Sequence, residues 1–162
     1  GSNFPLKKLA GIDLAAKLIE SKQKIAIWGA KKEIIEQHEK KLQGKLVFAE
    51  HGYFNLDQKD EILERLIKSK PDLLLVGMGA PKQEMLIYEC KSRLNGCVCM
   101  GVGGALDVWS GRLQRAAPWM ILLNLEWFFR IIQEPYRLKR FLYNVYRYIL
   151  LLICHLWGKL TR

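Results

Sequence analysis

The octapeptide GMGAPKQE at 77–84 follows directly on an apolar run, and its residue types suit binding of an anion or a polar ring. Gly77 and Gly79 let a ligand approach the backbone closely. Pro81 suits the first position of a helix whose unpaired N–H groups can face an anion or a carbonyl. Lys82 suits a phosphate, and Gln83 offers a donor and an acceptor together, which matches a nucleobase edge or sugar hydroxyls. A second glycine-rich segment, GVGGALD at 101–107, also ends an apolar run. Gly103 and Gly104 indicate backbone packed close to a ligand or to a neighbouring segment. Asp107 is suited to accept hydrogen bonds from hydroxyls or to act as a base; it equally suits a helix cap or an ion pair with Arg112 or Arg115. HGYF at 51–54 follows a third run, where Tyr53 either stacks on a base or fills core. Arg130, Arg137 and Arg140 recur at helical spacings across Pro135. Clustered guanidinium groups suit a pyrophosphate, whose charge rises as it departs, although each arginine alone equally suits solvated surface.

The elements that must position these residues are legible from periodicity. Apolar runs at 24–28, 45–49, 72–76 and 97–102 read as strands, and amphipathic stretches at 12–21, 31–42, 55–68 and 81–94 read as helices. Asn55 is a good N-cap, with Asp57, Asp60 and Glu61 in the early turns. Strands alternating with helices over short connections predict an α/β, Rossmann-like parallel sheet covered on both faces. Ligands of such sheets bind outside the carboxyl ends of the strands, where the glycine-rich segments fall. A full GxGxxG fingerprint is missing, and no acidic residue about 20 positions later is placed to read a ribose, which argues against a nicotinamide cofactor. The expected domains are 3–111, Rossmann-like, and 112–162, helical, with Gly1 and Ser2 set aside as the scar of a purification tag.

The net charge of +10 is uneven: residues 112–162 hold nine basic and two acidic side chains. A basic and apolar C-terminal third points to an anionic partner, and lipid fits better than nucleic acid because aromatic and aliphatic residues dominate between the charges. Residues 118–129 read as one helix and 136–158 as another. At 100° per residue, Arg137, Arg140, Asn144, Arg147, His155, Lys159 and Arg162 fall within an arc of about 120°. The wide apolar remainder, with Tyr143, Tyr146, Tyr148 and Trp157, is the pattern of a helix lying in a membrane interface. A core helix or a contact with a second copy of the chain is the alternative. No apolar run reaches the ~20 residues needed to span a bilayer. Cys90, Cys97, Cys99 and Cys154 form no CxxC pair and read as buried free thiols of a reducing compartment.

Taken together, these segments closely resemble the WecG/TagA/CpsF family of bacterial glycosyltransferases. The resemblance runs from LAGIDL at 9–14 through HGYF, GxGxPKQE and GVGGxxD to an LEWxxRxxxEPxRxxR signature at 125–140. It implies transfer of N-acetylmannosamine or a related sugar from a UDP-sugar to polyprenyl-diphosphate-linked N-acetylglucosamine. It also implies no metal and no cofactor, and a location at the cytoplasmic face of the bacterial membrane. The products would feed teichoic acid, common antigen or capsule. By the same resemblance Tyr53, Gly79, Lys82, Gln83, Gly103, Gly104 and Asp107 surround the nucleotide-sugar pocket. Arg130, Arg137 and Arg140 belong to an appendage that meets the diphosphate at the membrane. The family's proposed catalytic aspartate lies in a segment ahead of the matched part, so the base is unassigned here, with Asp13 and Asp107 the only acids near the matched motifs. Lys8 stands where the family usually has Arg. A non-catalytic nucleotide-sugar or lipid-binding module that needs a separate N-terminal segment is the alternative expectation.

Overall fold

The computed structural model describes residues 10–160; within that span the side chains of Arg137, Arg140 and residues 155–160 lie outside the description, as do Lys8 and Arg162. The chain divides into two compact units, Gly1–Leu113 and Gln114–Arg162.

The first unit is a four-stranded, all-parallel sheet in the order β2-β1-β3-β4, formed by β1 (Ile25–Gly29), β2 (Leu46–Glu50), β3 (Leu73–Gly77) and β4 (Val98–Gly101). The central strands β1 and β3 are buried almost throughout, as a parallel sheet covered on both faces requires. Alternation along them divides the core. Ile25, Ile27, Leu73 and Leu75 meet Ala15, Ile34, Ile35 and Leu106 from α1 (Gly11–Ser21), α2 (Lys32–Lys41) and α5 (Ala105–Ser110). Ala26, Trp28, Leu74 and Val76 meet Ile62, Leu66, Leu86 and Cys90 from α3 (Lys59–Ser69) and α4 (Lys82–Cys90). Each fully buried leucine of this kind contributes roughly 1.5–3 kcal/mol.

Local chemistry sets the element ends. Asn55 caps a short 3-10 turn, Leu56–Gln58, through a reciprocal capping box with Gln58, and α3 follows from Lys59. Pro81 precedes α4 as its N-cap, one residue before the helical position expected of it, and the Ala80–Pro81 peptide is cis. The helix expected to reach 94 closes at Cys90 and continues as turns. α5, which the glycine-rich sequence did not suggest, forms immediately after Gly104.

The second unit is helical. The single helix expected over 118–129 is two, α6 (Pro118–Leu122) and α7 (Glu126–Gln133), because Asn124 between them turns at φ 57. Asparagine tolerates that left-handed conformation better than most residues. Gln133, the last residue of α7, ties back to the start of the unit, accepting from Gln114 N at 2.8 Å and donating to Gln114 O at 3.0 Å. Trp127 stacks on Phe141 of α8 (Arg137–Leu160), with ring centroids 4.9 Å apart and planes 12° from parallel. Along α8, Leu142, Tyr143, Tyr146, Tyr148, Leu151 and Ile153 are exposed. Among the described residues no helix is long and apolar enough to cross a membrane. The four cysteines are free, but only Cys90 is buried: Cys97 and Cys99 are half-buried on the edge strand β4, and Cys154 is exposed on α8. An edge strand and a single exposed helix lack the second covering layer that would bury them.

Candidate nucleotide-binding edge

Strand order reverses between β1 and β3: the connection from β1 leads outward to β2, and the next returns past β1 to β3. The carboxyl ends of these two neighbours are therefore the switch point at which open α/β sheets hold ligands. Here the backbones come very close. A Cβ on Gly29 would lie 2.5 Å from the carbonyl carbon and oxygen of Gly77, and Gly29 itself sits at φ +141. Ala30 N donates to Gly77 O at 3.0 Å, and Gly52 N donates to Ala30 O at 2.9 Å. Three strand-end loops, one each from β1, β2 and β3, are thus laced by main-chain bonds.

The fourth loop is fastened by a side chain. Gln83, half-buried in the first turn of α4, accepts through Oε1 from Gly103 N at 3.0 Å. Its Nε2 donates to Glu84 Oε1 at 2.7 Å. Gly101 leaves room for that carboxamide, since a Cβ there would stand 2.7 Å from Gln83 Nε2. A Cβ on Gly77 would meet Leu106 Cδ1 at 2.5 Å and Gly103 O at 3.1 Å. The fold therefore gathers Gly77, Gln83, Gly103 and α5, which carries Asp107, around one edge. Gly79 turns at φ 74, Gly104 caps α5, and Lys82 is exposed at the start of α4.

Tyr53 is 73% exposed, which removes the reading of it as core. Its N–H donates to His51 Nδ1 at 3.3 Å. Behind that corner Glu50 accepts from His51 N and from Arg65, each at 3.2 Å. Asp107 pairs with Arg112 at 2.9 Å, and its carboxylate is only 15% exposed. Of the roles open to it, the ion pair with Arg112 is the one formed within this unit. Among the described residues no group of three His, Cys, Asp or Glu side chains is arranged to hold a metal ion. Arg130 is half-buried on α7 of the second unit, while Arg137 and Arg140 fall in the opening turns of α8 and their side chains lie outside the description.

Sequence reasoning missed two contributors. The Gly29–Ala30 corner carries no recognisable motif, and only its place after a buried strand hinted at it. His38 was overlooked: it is 3% exposed, with Nε2 3.0 Å from Leu106 O, and burial holds its pKa below the usual value. Its signal was spacing, since it lies three and four residues after Ile35 and Ile34 on the inward face of α2.

Residues 2–162 match the model of the glycosyl transferase WecG/TagA/CpsF family. A relative from Bacillus subtilis (strain 168), N-acetylglucosaminyldiphosphoundecaprenol N-acetyl-beta-D-mannosaminyltransferase, is 34% identical over 144 residues. That alignment covers 83% of this chain, and the chain spans about half of the relative, 56% of its length. With a match running nearly end to end and the glycine-rich corners gathered at one sheet edge, this chain belongs to the WecG/TagA/CpsF family of glycosyl transferases.

Proposed function

We propose that this chain carries the donor-binding half of an N-acetylmannosaminyltransferase that uses a UDP-sugar and a polyprenyl-diphosphate-linked N-acetylglucosamine. The observation that carries the reading is the joining of all four strand-end loops at the switch point, with Gln83 bridging the two glycine-rich corners. The name of the Bacillus relative supplies the sugar and the acceptor.

In this reading Tyr53 offers an exposed ring to the uracil, Gln83 and the Gly103–Gly104 backbone line the nucleotide, and Lys82 meets phosphate. Asp107, held by Arg112, accepts from sugar hydroxyls. The reaction is a single inverting displacement without metal. A base takes the proton of the acceptor hydroxyl, the oxygen bonds to the anomeric carbon, and the bond to UDP breaks with its electron pair staying on the diphosphate. Arg130, Arg137 and Arg140 stabilise the departing charge. Asp107 is engaged by the Arg112 guanidinium, and the base is assigned, as the family resemblance implies, to a segment ahead of the matched part. α8, with its cationic stripe and exposed aromatics, rests on the anionic cytoplasmic face of the membrane and brings the site to its lipid acceptor.

Titration calorimetry with UDP tests the donor site. Binding that weakens about tenfold in Gln83→Ala, the loss of one or two hydrogen bonds, is expected. A folded wild-type chain that takes up no UDP would defeat the reading. Flotation with anionic liposomes, with and without residues 141–162, tests the membrane role: equal flotation of both forms rejects it. UDP release on adding acceptor separates an enzyme from a binding module that needs a second segment.

A further inference from the structure

α5 is only six residues long, so its own ladder does little to fix it, and most of its carbonyls belong to a helix end. Two side chains from one face of α2 reach its main chain. His38 Nε2 lies 3.0 Å from Leu106 O and, facing a carbonyl, must carry the proton. Lys41, one turn on, donates through Nζ to Trp109 O at 2.6 Å. The two carbonyls flank Asp107. Apolar packing does not call for this histidine, since Ile34 and Ile35 already anchor α2 to the sheet and a buried imidazole is costlier than an aliphatic side chain. The same short helix seats Leu106 against Gly77 and begins two residues after Gly103, whose N–H meets Gln83.

We propose that His38 and Lys41 are positioning residues for the donor site: they set the height and rotation of α5, and with it the spacing of Gly103, Gly104 and Asp107 from Gln83. The inference rests on the reading of this edge as the nucleotide-sugar site. The charged groups facing the imidazole are Lys41 on its own helix and Asp107 on α5. α1 and β2 bring apolar Leu18, Leu46 and Ala49 to the same cluster.

The test uses the full chain and two readouts, amide hydrogen exchange over residues 101–110 and UDP affinity by calorimetry. His38→Leu, which keeps the volume and loses the donor, is expected to speed exchange there about tenfold relative to α3 and to weaken UDP by a similar factor. His38→Gln still offers an N–H to the same carbonyl. It should return both readouts to near wild type. Lys41→Met, at an exposed position, should give a smaller change of the same kind and carries the test by itself if His38→Leu does not fold. Leu66→Ala, a cavity in the opposite core layer, should lower stability without moving UDP affinity. Wild-type exchange and wild-type affinity in His38→Leu, or in Lys41→Met where that variant stands alone, would overturn the proposal. If the wild-type chain binds no UDP, the donor-site reading fails, and the exchange measurement still decides whether α2 clamps α5.

Discussion

Replacing Gly29 by alanine attacks the point where the sheet's two central strands end. The new methyl would stand 2.5 Å from the Gly77 carbonyl and 2.7 Å from its Cα, all main-chain atoms that have no rotamer to escape into. The backbone at φ +141 adds conformational strain of about 1–2 kcal/mol for any residue with a Cβ. Relief requires parting the ends of β1 and β3, which costs roughly 1–3 kcal/mol in overpacking. Parting them also gives up the Ala30–Gly77 bond and strains the Gly52–Ala30 bond, about 1 kcal/mol each. The sum is about 4–7 kcal/mol, against a total stability of about 5–15 kcal/mol for a domain. Gly44→Ala is the matched control: Gly44 has φ +88 with nothing within 4 Å of the would-be Cβ, so it carries the strain alone, about 1–2 kcal/mol. Urea denaturation of the two variants and the wild type, compared by midpoint at constant slope, measures the difference. Equal midpoints for Gly29→Ala and Gly44→Ala would refute the claim that a direct backbone contact closes the switch point.

Gly101→Ala places a methyl 2.7 Å from Gln83 Nε2, the mobile end of a side chain, so it should cost only about 1 kcal/mol in stability while freeing Gly103 N. Faster exchange of the Gly103 amide with little change in melting temperature is the expected signature. His38, with its pKa held by burial below the ordinary 6.5, contributes stability that is fully present above that value and is lost as pH falls through the folded-state pKa. The difference between wild-type and His38→Gln urea midpoints should therefore shift in favour of the variant between pH 7 and 5; a constant difference would contradict a neutral buried imidazole. Leu66→Ala removes a side chain with no exposed surface from the α3 and α4 core layer and should destabilise by about 2–5 kcal/mol in equilibrium unfolding.

Local chemistry was enough for the frame. Strands β1 and β3 are uninterrupted apolar runs, and β-branched and leucine-rich segments of four to six residues between amphipathic stretches leave few alternatives to a parallel sheet. Asn55 announces a helix start by its residue type, and the glycines at 77–79 and 101–104 announce close approach of backbone to something. The family resemblance, carried by motifs spread over the whole chain, is what lets that something be proposed as a nucleotide-sugar.

What lies far apart in sequence was decided only by folding. That Gly29 needs no side chain because Gly77 occupies its place, that Gln83 is spent on Gly103, and that His38 holds the carbonyl of Leu106 are contacts across 48, 20 and 68 positions. Periodicity carries information over one or two turns, and it cannot say which of several loops a given side chain will meet. Residues 118–129 failed for a related reason: the stretch is rich in Leu, Met and other apolar residues that read as one helix, and Asn124 takes a left-handed turn that helix propensity does not report. Residue types set which chemistry was available along the chain, and strand order set which of those residues became neighbours.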